Sequence, residues 1–150
     1  MTAAPPVSAV AGLIQLAIAP VFLVAGIGAI LNVLANRLAR VVDRVRTLER
    51  GLPGFAPDER GRARTELRTL SRRMRLVNWA ITCCTASALF VCLVVADLFV
   101  TALIDLGSGR PIAALFVLAM ALLIAGLLLF LLEIRLAARS LRVREELLKD

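Results

Sequence analysis

LVNWAITCCTASALFVCLVVA (residues 76–96) and PIAALFVLAMALLIAGLLLFLL (residues 111–132) carry no Asp, Glu, Lys or Arg, and no charge precedes Arg37. A helix rises 1.5 Å per residue, so about 20 apolar residues cover a hydrocarbon core of roughly 30 Å. Each of the three uncharged stretches meets that length. They decide the fold: an all-α membrane protein with three transmembrane helices over about residues 8–35, 77–104 and 111–132.

Composition supports that reading. The chain has 150 residues, room for one domain, and 60% are hydrophobic, with a mean hydropathy of +0.87. Soluble domains average roughly 45–50% apolar residues. A soluble fold of this size cannot hide so much apolar surface, and lipid is the solvent that accepts it.

The net charge of +7 is segregated. Residues 37–75 hold 12 Arg against Asp43, Glu49, Asp58, Glu59 and Glu66, a local charge of +7, and the tail from Arg135 adds five positive and three negative groups. Asp105 and Arg110, between the last two spans, cancel. The positive-inside rule then puts the basic segments in the cytoplasm, with the N-terminus outside and the C-terminus inside. Contact with anionic lipid head groups accounts for the arginines. No nucleic-acid partner is expected, because residues 37–75 contain only Phe55 as an aromatic to interleave with the charge.

Ala17-Ile18-Ala19 imitates a signal-peptidase site. A basic leading region is missing, however, apolar sequence continues past it, and Pro20 follows the cut. Residues 1–36 are therefore expected to stay as a retained span. Cys83, Cys84 and Cys92 all lie in the second span without a C-x-x-C pattern, and the chain has no histidine. They are expected to act as small buried hydrophobes. No metal, cofactor or enzyme constellation is expected: paired carboxylates, a Gly-rich phosphate loop and a nucleophile motif are all missing.

Helical spacing extends beyond the spans. The first helix is expected from about Val7–Ser8, through a kink at Pro20, to about Arg50, since Leu38, Val41, Val45, Leu48 and Leu52 keep a 3,4,3,4 spacing. Gly51-Leu-Pro-Gly54 and Pro57 form a turn, with Asp58 as the expected N-cap. Ala63, Leu67, Leu70, Met74 and Val77 answer at 4,3,4,3 spacing. The two stripes predict a cytoplasmic antiparallel helical hairpin with a coiled-coil seam over about residues 36–76. Gly107-Ser-Gly109 and Pro111 mark a tight external turn. A C-terminal cytoplasmic helix is expected within residues 133–150, continuing the third span through Ile134, Ala138, Leu141 and Leu148 and packing against the hairpin. The expected shape is a long, slightly kinked bundle, half in lipid and half in water.

Polar groups at membrane depth usually turn toward partners or water. Gln15, Ala19, Phe22, Ala25/Gly26, Ala29, Asn32, Asn36, Arg40 and Asp43 recur every three or four residues along one face of the first helix. Such a face suits close helix packing. It equally suits a pathway in a ring of subunits, with Phe22 as a hydrophobic constriction. Asp97 is the sole carboxylate well inside a span, about 10 residues from its external end. It is a candidate ion contact or proton carrier, or else a protonated or amide-bonded group near the outer interface.

Matching depths places Asn32, Asn36, Arg37, Asn78, Thr82, Glu133 and Arg135 in one layer at the inner boundary. Glu133 is expected to pair with Arg37 or Arg135, within or between subunits, as a clamp where three helices leave the membrane. Trp79 is expected as an interfacial anchor. Arg37, Arg40, Arg44 and Asp43 fall within two turns, where Arg–Asp bonds lock neighbouring helices. Facing an axis, the arginines make a cationic vestibule; facing outward, they hold anionic lipid.

The run Leu31-Asn-Val-Leu-Ala-Asn-Arg-Leu-Ala-Arg-Val-Val-Asp-Arg-Val-Arg-Thr-Leu-Glu49 follows Ala19-Pro20-Val21-Phe22-Leu23. Glu66-Leu67 and Arg72-Arg73 precede the second span, and Glu133-Ile134-Arg135-Leu136-Ala137 follows the third. Together these resemble the three-span bacterial membrane family called domain of unknown function 2721. The resemblance covers most of the chain and implies a bacterial membrane location, though no activity. With the charge pattern, that means the inner membrane; the use of Arg over Lys fits a GC-rich bacterial genome.

Two functions are expected from these features. In one, copies of the chain form a homo-oligomer enclosing an ion-conducting or gated pore lined by the first helix. In the other, a non-conducting scaffold or regulator uses the basic hairpin to bind a cytoplasmic protein partner or anionic lipid. A small carrier that moves protons on Asp97 is a third.

Overall fold

The computed structural model describes residues 7–104 and 109–146, and every regular element among them is helical. Helix α1 spans Val7–Gly51, a single 3-10 turn covers Leu52–Gly54, α2 spans Pro57–Ile104, and α3 spans Gly109–Glu146. Windows long and apolar enough to cross a membrane lie within Ile14–Gly54, Pro57–Ala102 and Arg110–Ala138. The chain is a multi-pass membrane protein. Asp105, Gly107 and Ser108 of the expected external turn lie outside the described residues, as does Leu148. Helix α1 passes through Pro20 without a break, as helices in lipid do when neighbouring groups satisfy the freed carbonyl.

The chain divides into two compact units, Met1–Leu31 with Cys83–Ile124, and Asn32–Thr82 with Ala125–Asp150. Each helix contributes a segment to each. Along every helix the buried positions fall seven residues apart: Ile27, Leu34, Val41 and Leu48 on α1; Ala63, Leu70, Val77, Cys84 and Val91 on α2; Ala119, Gly126 and Glu133 on α3. A period of 3.5 residues per turn keeps one narrow stripe on the neighbouring helices. Many large apolar side chains off the stripe, including Leu16, Val21, Leu89, Val117 and Leu128, are exposed, as lipid-facing residues must be.

In the first unit small residues are buried beside the larger Ile27 and Val91. Cys84, Ser87 and Ala119 are fully buried, and the Ser87 hydroxyl donates to the Ala119 carbonyl at 2.7 Å. Small side chains let backbones approach, and the hydroxyl then bonds across the interface.

In the second unit, Val41 and Leu48 of α1 bury against Leu70 of α2, with Val45, Leu67 and Met74 packed around them. These are residues of the two stripes spaced by threes and fours. The turn joining them is fixed by local chemistry. The Phe55 N–H donates to the Leu52 carbonyl at 3.4 Å, and Arg60 Nη2 donates to the Pro53 carbonyl at 3.2 Å. The Phe55 ring lies over Gly51, where a Cβ would come within 2.8 Å of its tip. A side chain at position 51 would have to displace that ring.

The start of α2 departs from expectation. Ala56, not Asp58, is the N-cap: its carbonyl accepts the Arg60 N–H at 2.9 Å, the first intrahelical bond. Pro57 follows at the first helical position, where its missing N–H loses nothing. Glu59 reaches back to accept the Ala56 N–H at 3.1 Å, the return half of a capping box. Asp58 sits inside the first turn, where a negative charge favours the helix dipole.

Candidate functional site

The seven-residue stripe of α3 leads from Ala119 and Gly126 to Glu133, whose side chain has no solvent exposure. A bare carboxylate in that position would be prohibitive, so the surroundings must supply counter-charge. They supply two. Arg37 Nη1 of α1 donates to Glu133 Oε2, and Arg73 of α2 donates from Nε and Nη2 to Oε1 at 3.2 and 2.8 Å. The arginine side chains are 30% and 20% exposed, so each keeps part of its hydration. Arg37 also lies over the Phe130 ring, 5.3 Å from its centroid, a cation–π contact on the same turn of α3.

One carboxylate and two guanidiniums leave a net charge of +1 where segments of all three helices meet. Both carboxylate oxygens are engaged by arginine donors. What the arrangement does is hold α1, α2 and α3 in register through charge-assisted bonds.

Matched depth left the partner of Glu133 open between Arg37 and Arg135; the carboxylate pairs with Arg37 and with Arg73, not with Arg135. Arg73 follows buried Leu70 by one turn and precedes buried Val77 by one turn, so it flanks the stripe. Arg72 is turned about 100° away from Arg73. Arg135 is exposed and lines a cleft with Arg72 on another face.

Near Arg37 the Arg–Asp lock does not form. Arg44 instead donates from Nε and Nη2 to Glu66 Oε1, both at 2.8 Å, while Asp43 is exposed and its carbonyl accepts the Thr47 hydroxyl at 2.9 Å. Glu66 lies across the paired helices from Arg44, where an aspartate on Arg44's own helix cannot serve. With both partners nearly half exposed, the Arg44–Glu66 pair contributes at most about 1 kcal/mol.

The remaining candidates sit apart. Gln15, Asn32, Asn36 and Arg40 are exposed, and Phe22 is 73% exposed. Asn36 Nδ2 donates to Asn32 Oδ1 at 3.2 Å, and the other donors and acceptors of both amides find no partner among the described residues. Asn78 is exposed, with its carbonyl accepting the Thr82 hydroxyl at 3.0 Å. Trp79 is 62% exposed. Asp97 is half-buried, with the Thr101 hydroxyl on its carbonyl at 2.7 Å and no ion pair on its carboxylate among the described residues. Cys83, Cys84 and Cys92 are free thiols. Among the described residues no three His, Cys, Asp or Glu are grouped to hold a metal ion.

The family described as a protein of unknown function, DUF2721, matches residues 17–143. No curated protein and no solved structure matches the chain.

Proposed function

The chain belongs to the DUF2721 family, and from that premise we propose a homo-oligomeric bacterial inner-membrane protein whose copies bring the small and polar face of α1 together around an ion pathway. One observation carries this reading. Gln15, Ala19, Phe22, Ala25, Ala29, Asn32 and Asn36 are all exposed on the single chain, so its own helices leave that face uncovered. Amides directed at hydrocarbon are costly, and three helices enclose nothing by themselves. Further copies supply the cover. In that ring Phe22 forms the constriction, the Asn32–Asn36 amides form a hydrated collar, and Arg40 and Asp43 face the cytoplasmic mouth.

Reconstituted in liposomes, the protein should pass ions, Phe22→Ala should raise the flux several-fold, and Asn36→Leu should reduce it. A stable ring with a plugged axis and no flux overturns the proposal.

A second reading is favoured by the arginines between residues 37 and 75. Ion pairs among the described residues engage only Arg37, Arg44 and Arg73 of that segment. The other nine take part in no ion pair among the described residues and suit an acidic cytoplasmic protein partner. In that case reversing the charge of Arg62, Arg64 and Arg72 abolishes partner recovery and leaves membrane current unchanged.

A further inference from the structure

Leu76 opens the charge-free stretch of α2 and Leu132 closes that of α3, so both mark where hydrocarbon gives way to a charged layer. The two leucines line the same cleft, of about 290 Å³, together with Leu136, Arg72 and Arg135. Arg72 and Arg135 are exposed, and neither takes part in an ion pair among the described residues. The cleft therefore has an apolar wall at membrane depth and two uncompensated guanidiniums at its charged end, with no acidic residue in its lining.

We propose that this cleft binds one anionic phospholipid. The phosphate lies between Arg72 and Arg135, and an acyl chain runs along Leu76 and Leu132. Guanidiniums match phosphate oxygens in a planar, two-pronged geometry that an ammonium does not offer. The apolar wall accounts for the choice of a lipid over a free anion. A cleft below the roughly 300–1,000 Å³ of pockets that engulf a whole ligand suits a head group, with the chains outside it against the helices. No α1 residue lines the cleft, and the proposal does not depend on conduction.

The test is native mass spectrometry of the detergent-solubilised full chain, titrated with phosphatidylglycerol, with phosphatidylcholine of the same chains, and with glycerol 3-phosphate. Phosphatidylglycerol should be retained at one per chain, at least tenfold more tightly than phosphatidylcholine, and glycerol 3-phosphate should not be retained. Arg72→Gln with Arg135→Gln should weaken retention at least tenfold. Arg62→Gln with Arg64→Gln, which removes the same charge elsewhere on the chain, should not. Helicity without added lipid checks that each variant is folded.

Equal retention by the Arg72/Arg135 double variant, equal loss in the Arg62/Arg64 control, or equal binding of phosphatidylcholine overturns the proposal. Equal binding of glycerol 3-phosphate does so as well, because it makes the cleft an anion site without a lipid requirement.

Discussion

Replacing Glu133 with alanine leaves the Arg37 and Arg73 guanidiniums half-buried and facing each other with no counter-charge. Breaking a buried pair from one side costs about 3–5 kcal/mol, and Glu133→Ala should lower unfolding stability in detergent by that order. Arg37→Ala should cost less, because Arg73 continues to neutralise the carboxylate. Replacing all three residues together by Met or Leu of similar volume should recover most of the loss, as apolar substitutes for buried ion pairs do. A triple variant as unstable as Glu133→Ala would show that the triad does more than balance charge. At this scale the sequence was partly legible. Matched depth put Arg37 and Arg135 in one layer with Glu133, but Arg73 was missed, because its place beside the stripe depends on the rotation of α2, which a run of arginines does not reveal. The N-cap was misjudged for a related reason: Asp58 has the better capping side chain, yet Pro57 fixed the helix start two residues earlier.

Among the elements, the paired segments of α1 and α2 rest on few apolar contacts, so single truncations there are informative. Leu70 meets both Val41 and Leu48, and Leu70→Ala should cost about 2–5 kcal/mol, read as a lower midpoint in chemical denaturation. The Ser87 hydroxyl, bonded to the Ala119 carbonyl, contributes far less: Ser87→Ala should cost about 0.5–1.5 kcal/mol, since transmembrane hydrogen bonds are weak contributors. Ser87→Leu should be much worse, because both positions are fully buried and added volume forces the helices apart. The contacts of Val41, Leu48 and Leu70 were readable in advance because repeats of three and four leave one face to bury. The Ser87–Ala119 contact was not, since a serine in an apolar run fits many faces until the partner helix is placed.

For the whole molecule, most of the surface of the three spans is exposed in a single chain, and the charge sits in the segments between and after them. The protein should remain in the pellet after alkaline carbonate extraction and pass into solution only with detergent; release by carbonate alone would contradict three crossings. This scale was the most legible of all, because hydrocarbon admits no charged stretch and the uncharged stretches therefore had to be spans. What the α1 face does was not legible, since packing and pore lining ask for the same small and polar residues. The triad also has a bearing on biogenesis. Glu133 follows its arginine partners by 96 and 60 residues, so a nascent chain holding only the first two crossings exposes both cations without their anion. Until the last crossing is threaded, only the apolar seam and the Arg44–Glu66 pair join those two helices in the second unit. Arrival of a single carboxylate then quiets both cations at once, so the last segment made completes an assembly that the first two leave charged and open.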